Sequence, residues 1–181
     1  MGCGKSGLKY QVINFGIIYG QTPFGLSRSI SIPVEEARRF IDDYFERYPR
    51  IQEFIELVIA QARQDGYVKT ILGRRRLLPE INSPTANRRK LAERMAVNTV
   101  VQGSAADLIK VAMINLYQRI KSKNLDLKMI LQVHDELVFE VPAEQAEPYG
   151  QIVRQEMASA INLDVPIIVD VNSGSNWLEA K

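Results

Sequence analysis

Gln132-Val133-His134-Asp135-Glu136 is the stretch where chemistry is most concentrated in this chain. Apolar runs on either side, 127–133 and 136–141, read as two strands separated only by His134 and Asp135. A two-residue hairpin ordinarily carries Asn-Gly or Asp-Gly at its tip, because both central positions need positive φ. Here a His and an Asp stand at the tip and a Glu follows. Turn chemistry overridden in this way concentrates at functional sites. Two adjacent carboxylates on rigid strands suit a divalent cation, since Mg²⁺ takes one or two carboxylates and completes its shell with water and substrate phosphates. Taken alone, His-Asp-Glu is more often a polar turn that happens to be acidic.

A second group lies upstream. Arg94, Asn98 and Gln102 fall at i, i+4 and i+8 and so share one drifting helix face. A planar cation and two amides can hydrogen-bond phosphate oxygens and base edges. Such a row is usually a solvated face, but Met95, Ala96, Val97, Val100 and Val101 make this helix apolar, and polar groups on a largely buried helix need partners. A third group is Asn14-Phe15-Gly16-Ile17-Ile18-Tyr19-Gly20, where two aromatics one turn apart offer either ordinary core packing or a stacking platform for a base.

The elements that must hold these groups follow from periodicity. Val12, Phe15 and Tyr19 recur at helical spacing until Gly20 stops them. Pro33 opens a helix with Ala37, Phe40, Ile41, Tyr44, Phe45 and Tyr48 on one stripe, and Pro49 ends it. Ile51, Phe54, Ile55, Val58, Ile59 and Ala62 form a second stripe closed by Gly66, so a helical hairpin with both stripes in the core is expected. Tyr67–Leu72 and Arg76–Leu78 flank Gly73-Arg74-Arg75 as a short hairpin with a basic tip. A long helix runs from about Arg88 to Lys121, another starts near Pro148 and reaches about Ile161, and Val165–Val171 reads as a last alternating strand. Helices first and strands later argue for an α+β fold with an antiparallel sheet.

The chain has 181 residues, 46% hydrophobic and 24% charged, which excludes disordered, collagenous and disulfide-scaffold classes. Cys3 is the single cysteine and cannot close an internal disulfide. No apolar run approaches a membrane span and the N-terminus lacks a secretory core, so a soluble intracellular protein is expected. Net charge is +2, yet Arg63 to Arg94 carries a local excess of +6 and the rest of the chain −4. That stretch is either a solvated face and charged turn or a place where a polyanion is held. Gly4-Lys5-Ser6 looks like the end of a P-loop but lacks the preceding strand and glycine.

Together these segments resemble family A DNA polymerases, the bacterial DNA polymerase I group. NFGIIYG at 14–20 is similar to the family's fingers-helix motif. AERMAVNTVVQGSAADLIKVAMI at 92–114 and LQVHDELVFEV at 131–141 are similar to its palm helix and palm carboxylate motif, and GRRRLLP at 73–79 and NWLEAK at 176–181 also fit. The resemblance implies an α+β fold, with residues 10–86 a partial fingers helical subdomain and 87–181 the C-terminal half of a palm with its antiparallel sheet. Residues 1–9 are then a non-native or frayed N-terminus.

The resemblance also implies roles. Asp135 and Glu136 would be the catalytic carboxylates, with Asp135 ligating Mg²⁺ in a two-metal mechanism. Phe15 and Tyr19 would face the incoming nucleotide and templating base. Arg94, Asn98, Gln102, Gln132 and His134 would bind DNA. Expected partners are primer–template DNA, deoxynucleoside triphosphates and the missing N-terminal polymerase portion, with no membrane; the expected location is cytoplasmic and nucleoid-associated, in a bacterium or phage.

Departures from the family limit what is expected of the isolated chain. The family takes a second metal-binding aspartate from a D-Y-S-x-I-E-L-R-like strand, and Asp42, Asp43, Asp65, Asp107, Asp126, Asp164 and Asp170 all stand in other contexts. Gln11 and Gly7 occupy the positions of a Lys and an Arg that grip the triphosphate. The expectation is DNA synthesis as the C-terminal part of a polymerase, with the isolated chain inactive. The alternatives are a non-catalytic nucleic-acid-binding fragment and a subunit of a split polymerase.

Overall fold

The computed structural model describes residues 13–180. Cys3, the Gly4-Lys5-Ser6 stretch, Gly7, Gln11 and the expected N-terminal segment 1–9 lie outside the described residues. The fold is mixed: helices dominate, and two small antiparallel hairpins supply the strands. The chain divides into two compact units, 1–103 and 104–181.

In the first unit the described part of helix α1 covers 13–18. It ends in a Schellman motif: the Gln21 N–H donates to Gly16 O at 2.8 Å and the Gly20 N–H to Ile17 O at 3.0 Å. Gly20 sits at φ +74°, where any other residue is strained. Helix α2, Pro23–Ile30, was not evident from periodicity, yet it has proper ends. Thr22 Oγ1 accepts from the Gly25 N–H at 3.2 Å, Pro23 starts the first turn, and Ser31 closes the helix in the left-handed region. Helices α3, Val34–Arg47, and α4, Pro49–Asp65, break at Tyr48 because Pro49 disfavours helical backbone before it.

The α3 and α4 stripes enter two different clusters, so the expectation that both lie in the core holds for part of each. Ala37 of α3 joins Ile13, Ile17 and Leu26 in one cluster, whereas Ala62 of α4 joins Val68, Leu78, Ile81, Ala92 and Ala96 in another. Phe40, Tyr48 and Phe54 remain exposed. Each helix serves a different neighbour, so its stripe is only partly covered.

Strands β1, Tyr67–Lys69, and β2, Arg75–Leu77, pair antiparallel with Val68 opposite Arg76. Helix α5, Ala86–Lys123, runs unbroken through Gly103-Ser104. Gly103 is needed for packing: a Cβ there would stand 2.6 Å from Thr70 Cγ2.

The second unit holds the end of α5, strands β3, Lys128–Val133, and β4, Glu136–Glu140, a 3₁₀ turn over Ala143–Gln145, and helix α6, Ala146–Ala158. Leu116, Leu127 and Val153 form its core, with Met129, Leu137, Phe139 and Tyr149 packed around them. The β3–β4 register sets Val133 opposite Glu136 and contains a bulge between Met129 and Leu131. Val165–Val171 is not a strand, contrary to its alternating pattern. Ile167, Val169 and Val171 are half-buried while Ile168 and Asp170 are exposed, so the period-2 alternation is present. A strand also needs a ladder, and among the described residues neither hairpin extends to this segment.

Candidate functional site

The β3–β4 turn presents His134 and Asp135 at its tip, with Glu136 opening β4; all three are exposed. His134 has φ +52° and Asp135 is not among the positive-φ residues, so the turn has the φ signs of type II′, whose first central position usually belongs to glycine. Histidine is among the few residues enriched there. Gln132 braces this backbone, its Nε2 donating to the His134 carbonyl at 2.7 Å. Asp135 and Glu136 are hard oxygen donors of the kind Mg²⁺ prefers, and one or two such carboxylates are what it usually takes from a protein. Among the described residues no group of three or more His, Cys, Asp or Glu could hold a metal ion.

The α5 row is built by different means. Ala92, Ala96 and Val97 are buried and fix one side of the helix, leaving Arg94 and Gln102 exposed and Asn98 half-buried. The Asn98 Oδ1 is buried without a hydrogen-bond partner. Among the described residues no ion pair or hydrogen bond engages Arg94. Most of its neighbouring arginines in the basic stretch are occupied. Arg63 pairs with Glu93 at 2.6 Å, Arg88 with Glu80 at 3.7 Å, Arg76 donates to Thr99 Oγ1 at 3.1 Å, and Arg89 donates to the Ser83 carbonyl at 3.0 Å. Arg75 lies 5.0 Å over the Tyr67 ring. Much of the basic segment thus serves local structure, and Arg94 is free to face outward.

Phe15 and Tyr19 stack on α1 with centroids 5.9 Å apart and planes 13° from parallel. Phe15 is 48% exposed, so the pair is an accessible aromatic surface rather than core. The structure brings α1 and the α5 row together within the first unit: a Cβ on Gly20 would lie 3.3 Å from Arg94 Cγ. His134, Asp135 and Glu136 belong to the second unit with Gln132. Sequence reasoning missed the Gly20–Arg94 approach, the orphaned Asn98 oxygen and the Gln132 brace. It set Asp107 aside with the other aspartates and did not foresee its burial, only 1% exposed on α5. The glycine after Tyr19 was visible as a helix stop, but nothing in the pattern indicated which side chain would lie against it.

The chain resembles known proteins over nearly its whole length. It is 47% identical over 171 residues to DNA polymerase I of Caldicellulosiruptor bescii, covering 94% of this chain and 20% of that protein. It is 46% identical over 171 residues to DNA polymerase I of Bacillus subtilis, with 94% of this chain and 19% of that protein covered. The chain spans about a fifth of the length of these relatives. Among solved structures it matches the POL domain of Pol1 from M. smegmatis, in complex with DNA primer-template and dNTP. That match has a TM-score of 0.93 at 43% identity and covers 98% of this chain and 31% of that one. The model of DNA polymerase family A matches residues 8–179, and the chain belongs to that family.

Proposed function

We propose that this chain forms the fingers and C-terminal palm portion of a template-directed DNA polymerase, with 10–86 as the fingers part and 87–181 as the palm part. The observation that carries the reading is the carboxylate-bearing turn of β3–β4, held at φ +52° by a non-glycine residue in a chain of this family. The reaction is in-line attack of a primer 3′-hydroxyl on the α-phosphate of a deoxynucleoside triphosphate. Members of the family are generally metal-dependent. Asp135, with Glu136 beside it, would hold Mg²⁺, which when bound stabilises charge on the attacking and leaving oxygens. The protein's own residues do the positioning. Phe15 and Tyr19 offer a flat apolar surface to the nucleotide and templating base. Arg94 neutralises a backbone phosphate. Asn98 and Gln102 supply amides to the duplex, and Gln132 and His134 contact it near the primer terminus.

One carboxylate cluster holds a metal only weakly and a two-metal clamp needs ligands from both palm strands, so the isolated chain should extend a labelled primer little or not at all, with an N-terminal polymerase portion needed as a partner. Template-dependent extension by the pure chain at ordinary polymerase rates would overturn that statement. That no group of three or more His, Cys, Asp or Glu among the described residues could hold a metal ion favours a second reading: a non-catalytic DNA-binding fragment. Co-expression with the rest of a polymerase separates the two, because restored incorporation supports the catalytic role. Among the described residues no helix is long and apolar enough to cross a membrane, and a DNA-bound, nucleoid location in a bacterium or phage follows from the reading.

A further inference from the structure

Gly20 ends α1 with its bare Cα turned toward Arg94. A Cβ built there would stand 3.3 Å from Arg94 Cγ and 3.7 Å from Cδ, so the arginine stem occupies the space that any other residue would fill. The Schellman hydrogen bonds from Gly20 and Gln21 fix this end of the helix, and Ile13 and Ile17 fasten the same helix into the cluster with Leu26 and Ala37. The seat is therefore rigid. Arg94, by contrast, is exposed and held by no ion pair or hydrogen bond among the described residues. A long cationic side chain of this kind loses much rotamer freedom when it binds a phosphate, unless packing along its stem has already restricted it.

We infer that Gly20 is a positioning residue for DNA binding: the glycine surface at the end of α1 seats the Arg94 stem and fixes the reach of its guanidinium. The helix that carries the Phe15–Tyr19 stack thereby sets the geometry of a cation on α5. Gly20 itself contributes no charge and no hydrogen bond to a ligand, so its effect on DNA passes through Arg94. This rests on the DNA-facing reading of Arg94 given above.

The test is fluorescence anisotropy of the full chain with a labelled hairpin primer–template across a salt series. Gly20→Asn is the chosen variant, because asparagine tolerates the left-handed region and so alters the seat with the least backbone strain. Arg94→Ala should weaken binding roughly tenfold at low salt and make the slope of log affinity against log salt shallower by about one. Gly20→Asn should weaken binding several-fold and move the slope toward the Arg94→Ala value. In the Arg94→Ala background, where the obstructed stem is gone, Gly20→Asn should have no further effect. A Gly20→Asn protein with the unaltered slope, or a loss that adds in full to that of Arg94→Ala, overturns the inference. General unfolding of α1 falls under the second outcome, because it would lower affinity in both backgrounds. An Arg94→Ala protein with unchanged affinity and slope overturns the DNA-facing reading itself, and the inference with it.

Discussion

The two hairpins of this molecule are built to opposite specifications. β1–β2 has strands of only three residues, yet Val68 and the adjoining Leu78 are buried in a cluster with α4 and α5, and its turn contains Gly73 at φ +80°. β3–β4 has longer strands with no fully buried residue in either, and its turn places His134 at φ +52°. The first hairpin has an easy turn and a firm anchor, as a supporting element needs. The second gives up both at its tip, where Asp135 and Glu136 are exposed, and relies on Leu127 before β3 and on half-buried side chains along its strands. Strain that persists where the carboxylates are displayed is what a functional turn would show.

The largest difference between the two should appear on truncating their apolar side chains. Leu78→Ala removes a side chain that is 1% exposed and should cost about 2–5 kcal/mol in urea unfolding. Ile130→Ala at the β3 bulge removes one that is 57% exposed and should cost less than about 0.5 kcal/mol. Equal costs would mean that the two hairpins are anchored alike.

Substitutions at the two turns should act with opposite signs. Gly73→Ala forces an L side chain into the left-handed region and should destabilise by about 1–2 kcal/mol. His134→Gly relieves that same strain but loosens the unfolded chain, leaving a net stabilisation below about 1 kcal/mol. Thermal melts of both variants read the signs directly. A His134→Gly protein less stable than the parent would mean that the imidazole holds the turn together, and the strain argument would fail.

What could be read from the sequence was local. The α3 and α4 stripes, the Pro49 break, the Gly66 stop and both hairpins depend on neighbours within a few residues, and all of them formed. The β3–β4 tip was legible for the same reason, since a His-Asp turn between apolar strands contradicts ordinary turn preference. Helix α2 was missed although Thr22 and Pro23 make a proper start, because its apolar positions, Phe24, Leu26 and Ile30, are too few to establish a period. Val165–Val171 was misread because alternation reports which residues face inward, while a strand requires a second backbone to pair with. The approach of Gly20 to Arg94 joins residues far apart in the chain, and no pattern within either segment contains it.

A smaller effect should mark the open end of β3–β4, away from the carboxylates. Lys128 lies opposite Glu140 and donates to its Oε1 at 3.2 Å. That hydrogen bond, followed by the negative charges of Glu140 and Asp126, raises the Lys128 pKa above its ordinary 10.5. A raised lysine contributes stability that is fully present below the unfolded value and disappears as pH rises through the folded value. The parent should therefore exceed Glu140→Gln slightly in melting temperature near neutrality, and the two should converge as pH rises through the raised lysine value, above 10.5. A gap that persists there would assign the effect of Glu140 to packing instead of to the ion pair.

The smallest effect belongs to the turn at 175–179, which responds at the other end of the pH range. The Ser175 hydroxyl donates to Glu179 Oε2 at 2.7 Å and the Ser175 N–H donates to the same oxygen at 3.1 Å. The hydroxyl, then Asn176, then the Ser175 amide hold the Glu179 pKa below its ordinary 4.5. For a lowered carboxyl the contribution is present above the unfolded value and is lost as pH falls through the folded one. Because the group is exposed, the consequence is local: the Ser175 amide resonance should titrate with a midpoint below 4.5, and Glu179→Gln should abolish the titration. The melting temperature should barely distinguish the two proteins at any pH. The acid-sensitive hydrogen bonds of this turn then respond to their own carboxyl, apart from the alkaline loss of the Lys128–Glu140 pair. If Glu179→Gln instead shifted the Lys128 and Glu140 resonances, the hairpin and this turn would be one coupled element.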